Sequence, residues 1–418
     1  MALAGPARGT PRLAPGPLAL RAARAVARLA ALSGSEALAA LDGAALLGER
    51  AGVLGLRRRG AVSPGGSCRL LRARDAWLAV NLARPEDAEL LPAWLEAEAA
   101  PGRDPWAYAA PRLAERGAEE LLERARLLGL PAAPAPAPGP PPSSPVRVAL
   151  RAASRPRRVT GRPRVVDLSS LWAGPLCTHL LALAGARVVK VESVRRPDGA
   201  RRGDPRLFDL WNAGKRSAAL DVASPEGRAA LARLVETADI VVEASRLRAL
   251  RQLGIDAEAL VERVPGVVWV SITGHGRSGA DADRVAFGDD AACAAGLAAA
   301  TGTPEAPLFC GDAIADPLAG IHAALAAWEA WREGGGVLMD VSLARVAAWS
   351  AFGREPTPEG DPDPRDGVRV LRRAGGFEVV ADGERAPMAP PRARSPRGRA
   401  RPLGADTAAV LREAGLPC

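Results

Sequence analysis

The sequence predicts an α/β protein: a doubly wound parallel sheet forming a large domain, with a second, smaller α+β domain ahead of it. Three observations lead there. Short apolar strands recur along 161–353 with helical patterns between several of them, the rhythm of a sheet wound with helices on both faces. Within that region RVVDLSSLWAGPLCTHLLALAGARVVKVE (164–192) reads strand, Ala-Gly-Pro turn, helix, strand. That is a βαβ unit, and its ligand cleft is expected at the carboxyl end of its first strand. Finally, PAAPAPAPGPPPSSP (131–145) is stiff and poor in donors, so it reads as a linker dividing the chain.

The elements follow in order. Residues 1–15 carry no periodicity and are expected to be disordered. Helical patterns at about 17–32 and 35–50, ending at Gly52–Gly55, make residues 1–59 a helical N-terminal extension. The loop SPGGS (63–67) leads to strands at 68–72 and 77–81, with a turn around Asp75. Helices at about 86–98 and 117–128 complete a small α+β module, 60–130, and the linker is taken as 131–160. Strands are then expected at 165–168, 188–191, 217–220, 240–243 and 267–272, giving a Rossmann-like arrangement. Ser224-Pro225-Glu226 is a helix start, an N-cap followed by Pro at the first helical position. Helices at about 289–300, 317–332 and 341–352 end the large domain, 161–353. An acidic Pro-rich stretch (354–366), expected to be disordered, a hairpin (368–381), a basic loop and a last helix (404–414) make up 354–418.

Composition excludes several function classes. The 418 residues carry a net charge of +9, and the arginines are spread evenly rather than clustered. With one Tyr and five Phe there is no set of stacking aromatics beside a basic groove, so nucleic acid is not the expected partner; an anionic small molecule suits the charge. Five cysteines (68, 177, 293, 310, 418) are scattered and odd in number, which argues against a disulfide framework and for a reducing, cytoplasmic setting. Three histidines and no Cys-x-x-Cys pair give no metal site. No run approaches the ~18–20 apolar residues that span a bilayer. The first 35 residues hold Arg and no acid, as a transit peptide does, but the Arg-rich composition of the whole chain together with an ordinary helix is the favoured reading.

GHGRSG (274–279) matches the dinucleotide glycine pattern, yet no helical spacing follows it, so it reads as a loop over a cleft. Asp316 precedes Pro317 where an apolar helical pattern begins, the position of an N-cap. A carboxylate there is expected to stay ionised beside free N–H groups, which also suits a nucleophile whose tetrahedral intermediate needs donors. Cys177, His179 and His322 fall on helical patterns and are read as core or surface residues, whereas His275 lies in the cleft loop. Arg195, Arg196, Arg201 and Arg202 follow the second strand of the βαβ unit, where either a solvated face or a phosphate contact is expected. Only two lysines occur among the 56 Lys and Arg residues, Lys190 and Lys215. Lys190 is read as structural and Lys215 as the better candidate for a ligand contact.

Together with NAGKRSAALDVASPEGRAAL, ADIVVEA, VVWVSITGHGRSG, RVAFGDDAACAAGLAAATG, ADPLAG and GGGVLMDVSLARVAAW, the βαβ unit resembles the class III CoA-transferases (CaiB/BaiF type, the group of formyl-CoA transferase) over about 164–350. PPRARSPRGRARPLGADTAAVLREAGL resembles that family's closing segment. The resemblance implies a CoA-transferase that moves CoA from an acyl-CoA thioester to a carboxylic acid through an aspartyl anhydride, with Asp316 as nucleophile. It implies CoA contacts at Leu171, Trp172, Ala173, Lys215, Arg216, Ala244, Ser245, Thr273, Gly274 and His275. Acyl-CoA is then substrate, no cofactor is permanently bound, and an interlocked homodimer is expected. Three departures stand out. Trp172 occupies a position often held by Gln, which argues against the smallest acyl group. Phe287 sits where the family's racemases carry a His. The segment resembling the family's small domain, 60–130, precedes the large one. An acyl-CoA racemase or lyase and a catalytically silent CoA-binding or partner subunit are the alternatives.

Overall fold

The structure, a computed structural model, describes residues 3–99, 101–152, 161–245, 247–353 and 368–416. Its central feature is a sheet of seven strands: β4 (Arg147–Arg151), β5 (Arg164–Asp167), β6 (Arg187–Ser193), β7 (Arg216–Leu220), β8 (Ile240–Glu243), β9 (Val268–Thr273) and β10 (Val337–Ser342). They lie in the order β4-β10-β9-β8-β5-β6-β7. Every neighbouring pair is parallel except β4–β10. The chain therefore winds outward from β5 in one direction and from β8 in the other, and the loops after these two strands part at the centre. All residues of β8 and β10 are buried, as expected of strands covered on both faces.

Two apolar layers enclose this sheet. One holds α1 (Leu18–Ser33), α2 (Ala173–Leu183), α3 (Gly288–Ala294), α4 (Ala315–Arg332) and α5 (Leu343–Phe352). In α4, apolar residues are buried all round the helix, which marks a central rather than a surface helix. Its closest approach is to α2: a β-carbon on Gly320 would lie 2.5 Å from the Ala173 carbonyl oxygen, so only glycine fits. The opposite layer includes Leu231, Leu234, Val261 and, from the C-terminal helix (Thr407–Glu413), Val410. Asp406 and Thr407 accept hydrogen bonds from the Ser217 and Ala219 amides at 2.9 Å each and so cover the free edge of β7.

The N-terminal residues build a second, antiparallel sheet from β1 (Cys68–Arg72), β2 (Trp77–Asn81) and β3 (Ala132–Pro134). Strand alternation gives it two apolar faces. Leu78 and Val80 pack with Trp94, Trp106 and Leu121, while Cys68, Leu70 and Ala79 pack with Cys293, Ala298 and Phe309 of the large-sheet region. The start of the Pro-rich run is thus not linker: Ala132, Ala133 and Ala135 are buried. β3 is an edge strand, where Pro134 costs no ladder bond.

The two predicted strands of this sheet stand at their expected bounds, and the five predicted large-domain strands stand within about two residues of theirs. β4 and β10 were not anticipated as sheet strands, and the single helices expected at 35–50 and 289–300 are each broken. In the first, Asp42 caps the Ala44 and Ala45 amides and Gly43 packs on α1. In the second, Gly296 (φ +85°) is pressed against Pro138. The chain at 3–15 is ordered enough to bridge Ala4 with Cys310. The expected hairpin is a three-stranded meander, β11 (Arg369–Arg373), β12 (Gly376–Ala381) and β13 (Glu384–Pro387). The disorder expected at 354–366 falls outside the described residues, as does the end of the predicted linker, 153–160.

Candidate active site

Asp316 stands in the first turn of α4, two residues inside the helix rather than at its cap, which is Ile314. The side chain is half-buried, and its Oδ2 accepts a hydrogen bond from the Gly288 amide at 3.2 Å. Gly288 opens α3, and a β-carbon there would lie 2.5 Å from Asp316 Oδ2 and 2.3 Å from the Ala313 carbonyl oxygen. Residues four apart share a helix face, so the Gly320–Ala173 contact sets Asp316 one turn from the Ala-Gly-Pro turn.

Three more carboxylates surround this point. Asp289, Asp290 and Asp312 are all buried. Asp289 Oδ1 accepts from the Ala313 amide at 2.8 Å, and Asp290 Oδ1 accepts from Asn81 Nδ2 at 2.8 Å and from the Phe287 amide at 3.0 Å. Asp312 Oδ1 pairs with Arg50 Nη1 at 2.8 Å. The loop SPGGS reaches this cluster. Ser63 and the Gly65 amide favour the charged forms of Asp289 and Asp312, and a β-carbon on Gly65 would lie 2.8 Å from Arg50 Nη2 and 3.4 Å from Asp312 Oδ1. The N-terminal residues thus close over the aspartate within one chain.

Burial raises the Asp316 carboxyl to about 7, with Asp289 and Asp290 adding to the shift, while Arg50 and the Gly288 amide oppose it. The expectation that a helix-start carboxylate simply stays ionised is therefore corrected: neighbouring acids and loss of water outweigh the helix end. Asp289 is also pushed up to about 7, by burial and by Asp312, and Asp290 reaches about 7 chiefly by burial. With one guanidinium among four acids, protons are shared here near neutrality. Sequence reasoning passed over Arg50, Asn81, Asp289, Asp290 and Asp312. The available signal was adjacent acids inside an apolar helical run, GDDAACAAG, which forces charge onto a buried face.

The turns after β5, β8 and β9 come together at the carboxyl edge of three adjacent strands, so Leu171, Trp172, Ala173, Ala244, Ser245, Thr273, Gly274 and His275 share that end of the sheet. Leu171 is 43% exposed with φ +70°, held by a bond from its amide to Asp198 Oδ1 at 3.0 Å. Ala244 is exposed and Ser245 half-buried. Thr273 Oγ1 donates to Asp340 at 3.2 Å, and Gly274 packs tightly on Ala286. Burial holds the His275 ring neutral, with its pKa lowered to about 4. Trp172 is buried and stacks on Trp211 at 5.3 Å, so its indole packs in the core.

Lys215 and Arg216 do not join these turns. Lys215 is buried, and Nζ contacts Asp167 and Asn212 at 2.9 Å, the Pro175 carbonyl at 2.9 Å and Thr178 at 2.7 Å. No donor is left for a ligand, which corrects its assignment as a contact. Arg216 opens the edge strand β7 and pairs with Glu413 at 2.6 Å. Lys190 is buried as well, bonded to the Ser169 carbonyl at 2.8 Å and Asp198 at 2.9 Å. Both lysines belong to one ionic network beneath the Ala-Gly-Pro turn, where a compact ammonium fits and a planar guanidinium does not. Arg201 is spent on Glu192 and Arg195 on Asp221. Cys177 is buried; His179 lies 2.6 Å from Arg394, and His322 packs edge-on to Trp349. Among the described residues no group of side chains is arranged to hold a metal ion.

Comparison with known proteins gives a consistent picture. The sequence profile described as CoA-transferase family III matches residues 163–359. The chain is 31% identical over 204 residues to a succinyl-CoA–D-citramalate CoA-transferase of Chloroflexus aurantiacus, covering 46% of this chain and 51% of that enzyme. It is 32% identical over 248 residues to a succinate–glutarate CoA-transferase of Agrobacterium fabrum, covering 53% and 62%. Among solved structures, a CaiB/BaiF family protein from Brucella suis superposes with a TM-score of 0.46 at 30% identity, over 55% of this chain and 67% of that one. The chain thus spans between half and two thirds of the length of these curated relatives.

Proposed function

We propose, from the match of residues 163–359 to the CoA-transferase family III profile, that this chain transfers CoA from an acyl-CoA thioester to a carboxylic acid, with Asp316 as nucleophile. The observation that carries the reading is the setting of Asp316: a half-buried carboxylate that accepts the Gly288 N–H and lies one helical turn from the Ala-Gly-Pro turn. The strand order β7-β6-β5-β8-β9-β10 supports a Rossmann-like, doubly wound sheet, with ligand at the point where the winding reverses. That point is bordered by Leu171 and Ala244.

The carboxylate of Asp316 attacks the thioester carbonyl, forming an acyl-aspartyl anhydride and releasing the CoA thiolate. The thiolate attacks the aspartyl carbonyl, which frees the donor acid and leaves an aspartyl-CoA thioester. The acceptor carboxylate attacks this thioester, giving a second anhydride and thiolate. Attack of the thiolate on the acceptor acyl carbon yields the new acyl-CoA and restores Asp316. A nucleophile titrating near 7 is ionised in useful amount at neutral pH and more nucleophilic than an ordinary carboxylate. The Gly288 amide is placed to stabilise charge on the aspartyl oxygen.

Because SPGGS meets Asp289 and Asp312 within one chain, this site does not require a second copy to bring that loop. The homodimer is tested separately by sedimentation. The buried cysteines 68, 177, 293 and 310 are unbridged, which fits a reducing cytoplasm. Among the described residues no helix is long and apolar enough to cross a membrane. Succinyl-CoA is the first donor to test, since the two curated relatives named above are a succinyl-CoA–D-citramalate CoA-transferase and a succinate–glutarate CoA-transferase. Incubation with succinyl-CoA and hydroxylamine should convert Asp316 to its hydroxamate, found by peptide mass spectrometry. Labelling unchanged in Asp316→Ala, or no aspartyl adduct with any acyl-CoA, would overturn the proposal, and CoA binding without an adduct selects a silent CoA-binding subunit.

A further inference from the structure

We propose that Asp289 is a positioning residue: by holding the Ala313 amide it keeps the chain there left-handed and so sets where Asp316 enters α4. The inference rests on Asp316 being the nucleophile.

Ala313 has φ +43°, a region an L-residue with a β-carbon occupies only at a cost that neighbouring contacts must offset. Both its polar groups are tied. Its amide donates to Asp289 Oδ1 at 2.8 Å, and its carbonyl accepts from the Asp316 amide at 2.9 Å. The same carbonyl packs against Gly288, whose own amide donates to Asp316 Oδ2. These contacts close a ring from Asp289 through Ala313 and Asp316 to Gly288, the residue before Asp289. Asp289 is the member of the ring whose side chain crosses from α3 to the turn before α4. Releasing Ala313 lets that turn relax to an ordinary right-handed conformation and swings the start of α4 away from Gly288. The ionisable groups acting on Asp289 and Asp316 are Asp312 from the turn, Asp290 from α3 and Arg50 from the N-terminal extension. A change of charge at Asp289 therefore also moves the titration of Asp316, whereas the positioning effect follows the hydrogen bond alone.

The test uses the full chain and compares Asp289→Asn, Asp289→Ala, and Asp289→Ala combined with Ala313→Gly. Three quantities are read: hydrogen-exchange protection of the peptide carrying residues 311–318, the rate of aspartyl hydroxamate formation, and CoA affinity. Asn keeps an acceptor for the Ala313 amide, so that variant should retain protection and react at close to the wild-type rate, with the acid limb of its pH profile moved to lower pH. Asp289→Ala should lose protection and slow hydroxamate formation by about 10²-fold, the effect of a misplacement near 1 Å, with CoA affinity unchanged. Glycine adopts the left-handed turn without strain, so the double variant should recover rate, while the amide at 313 stays without its acceptor. If Asp289→Ala does not fold, Asp289→Ser, whose hydroxyl is too short to reach the amide, is read in the same way. The proposal is overturned if the folded Ala or Ser variant keeps protection and rate, or if adding Ala313→Gly recovers no rate. Should the wild-type protein form no hydroxamate, the functional reading fails, while the exchange measurement still decides whether Asp289 holds the turn.

Discussion

Gly288→Ala probes the site with a single methyl group. The new β-carbon would start 2.5 Å from Asp316 Oδ2 and 2.3 Å from the Ala313 carbonyl oxygen, where ordinary contact begins near 3.4 Å. One or both must move by about 1 Å, and overpacking of this kind costs ~1–3 kcal/mol. Against that, alanine inside a helix is favoured over glycine by ~1 kcal/mol, and Gly288 has no left-handed φ to protect. The balance is a net loss of ~0–2 kcal/mol, a melting point lower by no more than a few degrees. The effect on chemistry is larger: a nucleophile displaced by about 1 Å should react roughly 10²-fold more slowly. Differential scanning calorimetry and the rate of hydroxamate formation measure the two separately. A variant that melts normally and reacts within twofold of wild type would refute the contact between Gly288 and the reacting carboxylate.

Two further outcomes follow from the charges. Asp289, Asp290 and Asp316 have folded pKa values raised from 3.8 to about 7, so the folded state holds more protons than the unfolded chain between those values. Their contribution to stability is full below about pH 4 and is lost as pH rises through 7. Asp289→Asn should accordingly melt higher than wild type at pH 8 and about equally at pH 4, and a uniform shift at both would count against the buried charge. Lys215→Met removes one partner of the buried pair with Asp167 and should cost ~3–5 kcal/mol by urea denaturation. CoA affinity of the folded fraction should stay unchanged, and a selective loss of CoA binding would restore Lys215 to the ligand site.

The large sheet was legible because its strands are short apolar runs separated by helical spacing, a pattern local in sequence. β4 escaped because it is a short, largely exposed strand flanked by arginines, and it is held to β10 only by long-range pairing. The buried opening of the Pro-rich run escaped for a related reason. Proline and alanine look like linker until an edge position makes the missing N–H harmless. At the site, Asp316 was marked by Pro317 and the apolar pattern after it. The carboxylates that raise its pKa, and Arg50, which opposes them, carried no local mark as a group, since they come from three separate stretches.

The βαβ unit, the Ala-Gly-Pro turn and the helix headed by Asp316 were determined by the sequence itself, through periodicity and the stereochemistry of Gly and Pro. Tertiary structure decided what those parts are for. It buried both lysines beneath the turn, turned Trp172 into the core, and folded SPGGS from the far side of the chain onto Asp289 and Asp312. Those outcomes depend on desolvation and on contacts between residues as distant in sequence as Arg50 and Asp312, 262 positions apart, and no local pattern encodes them.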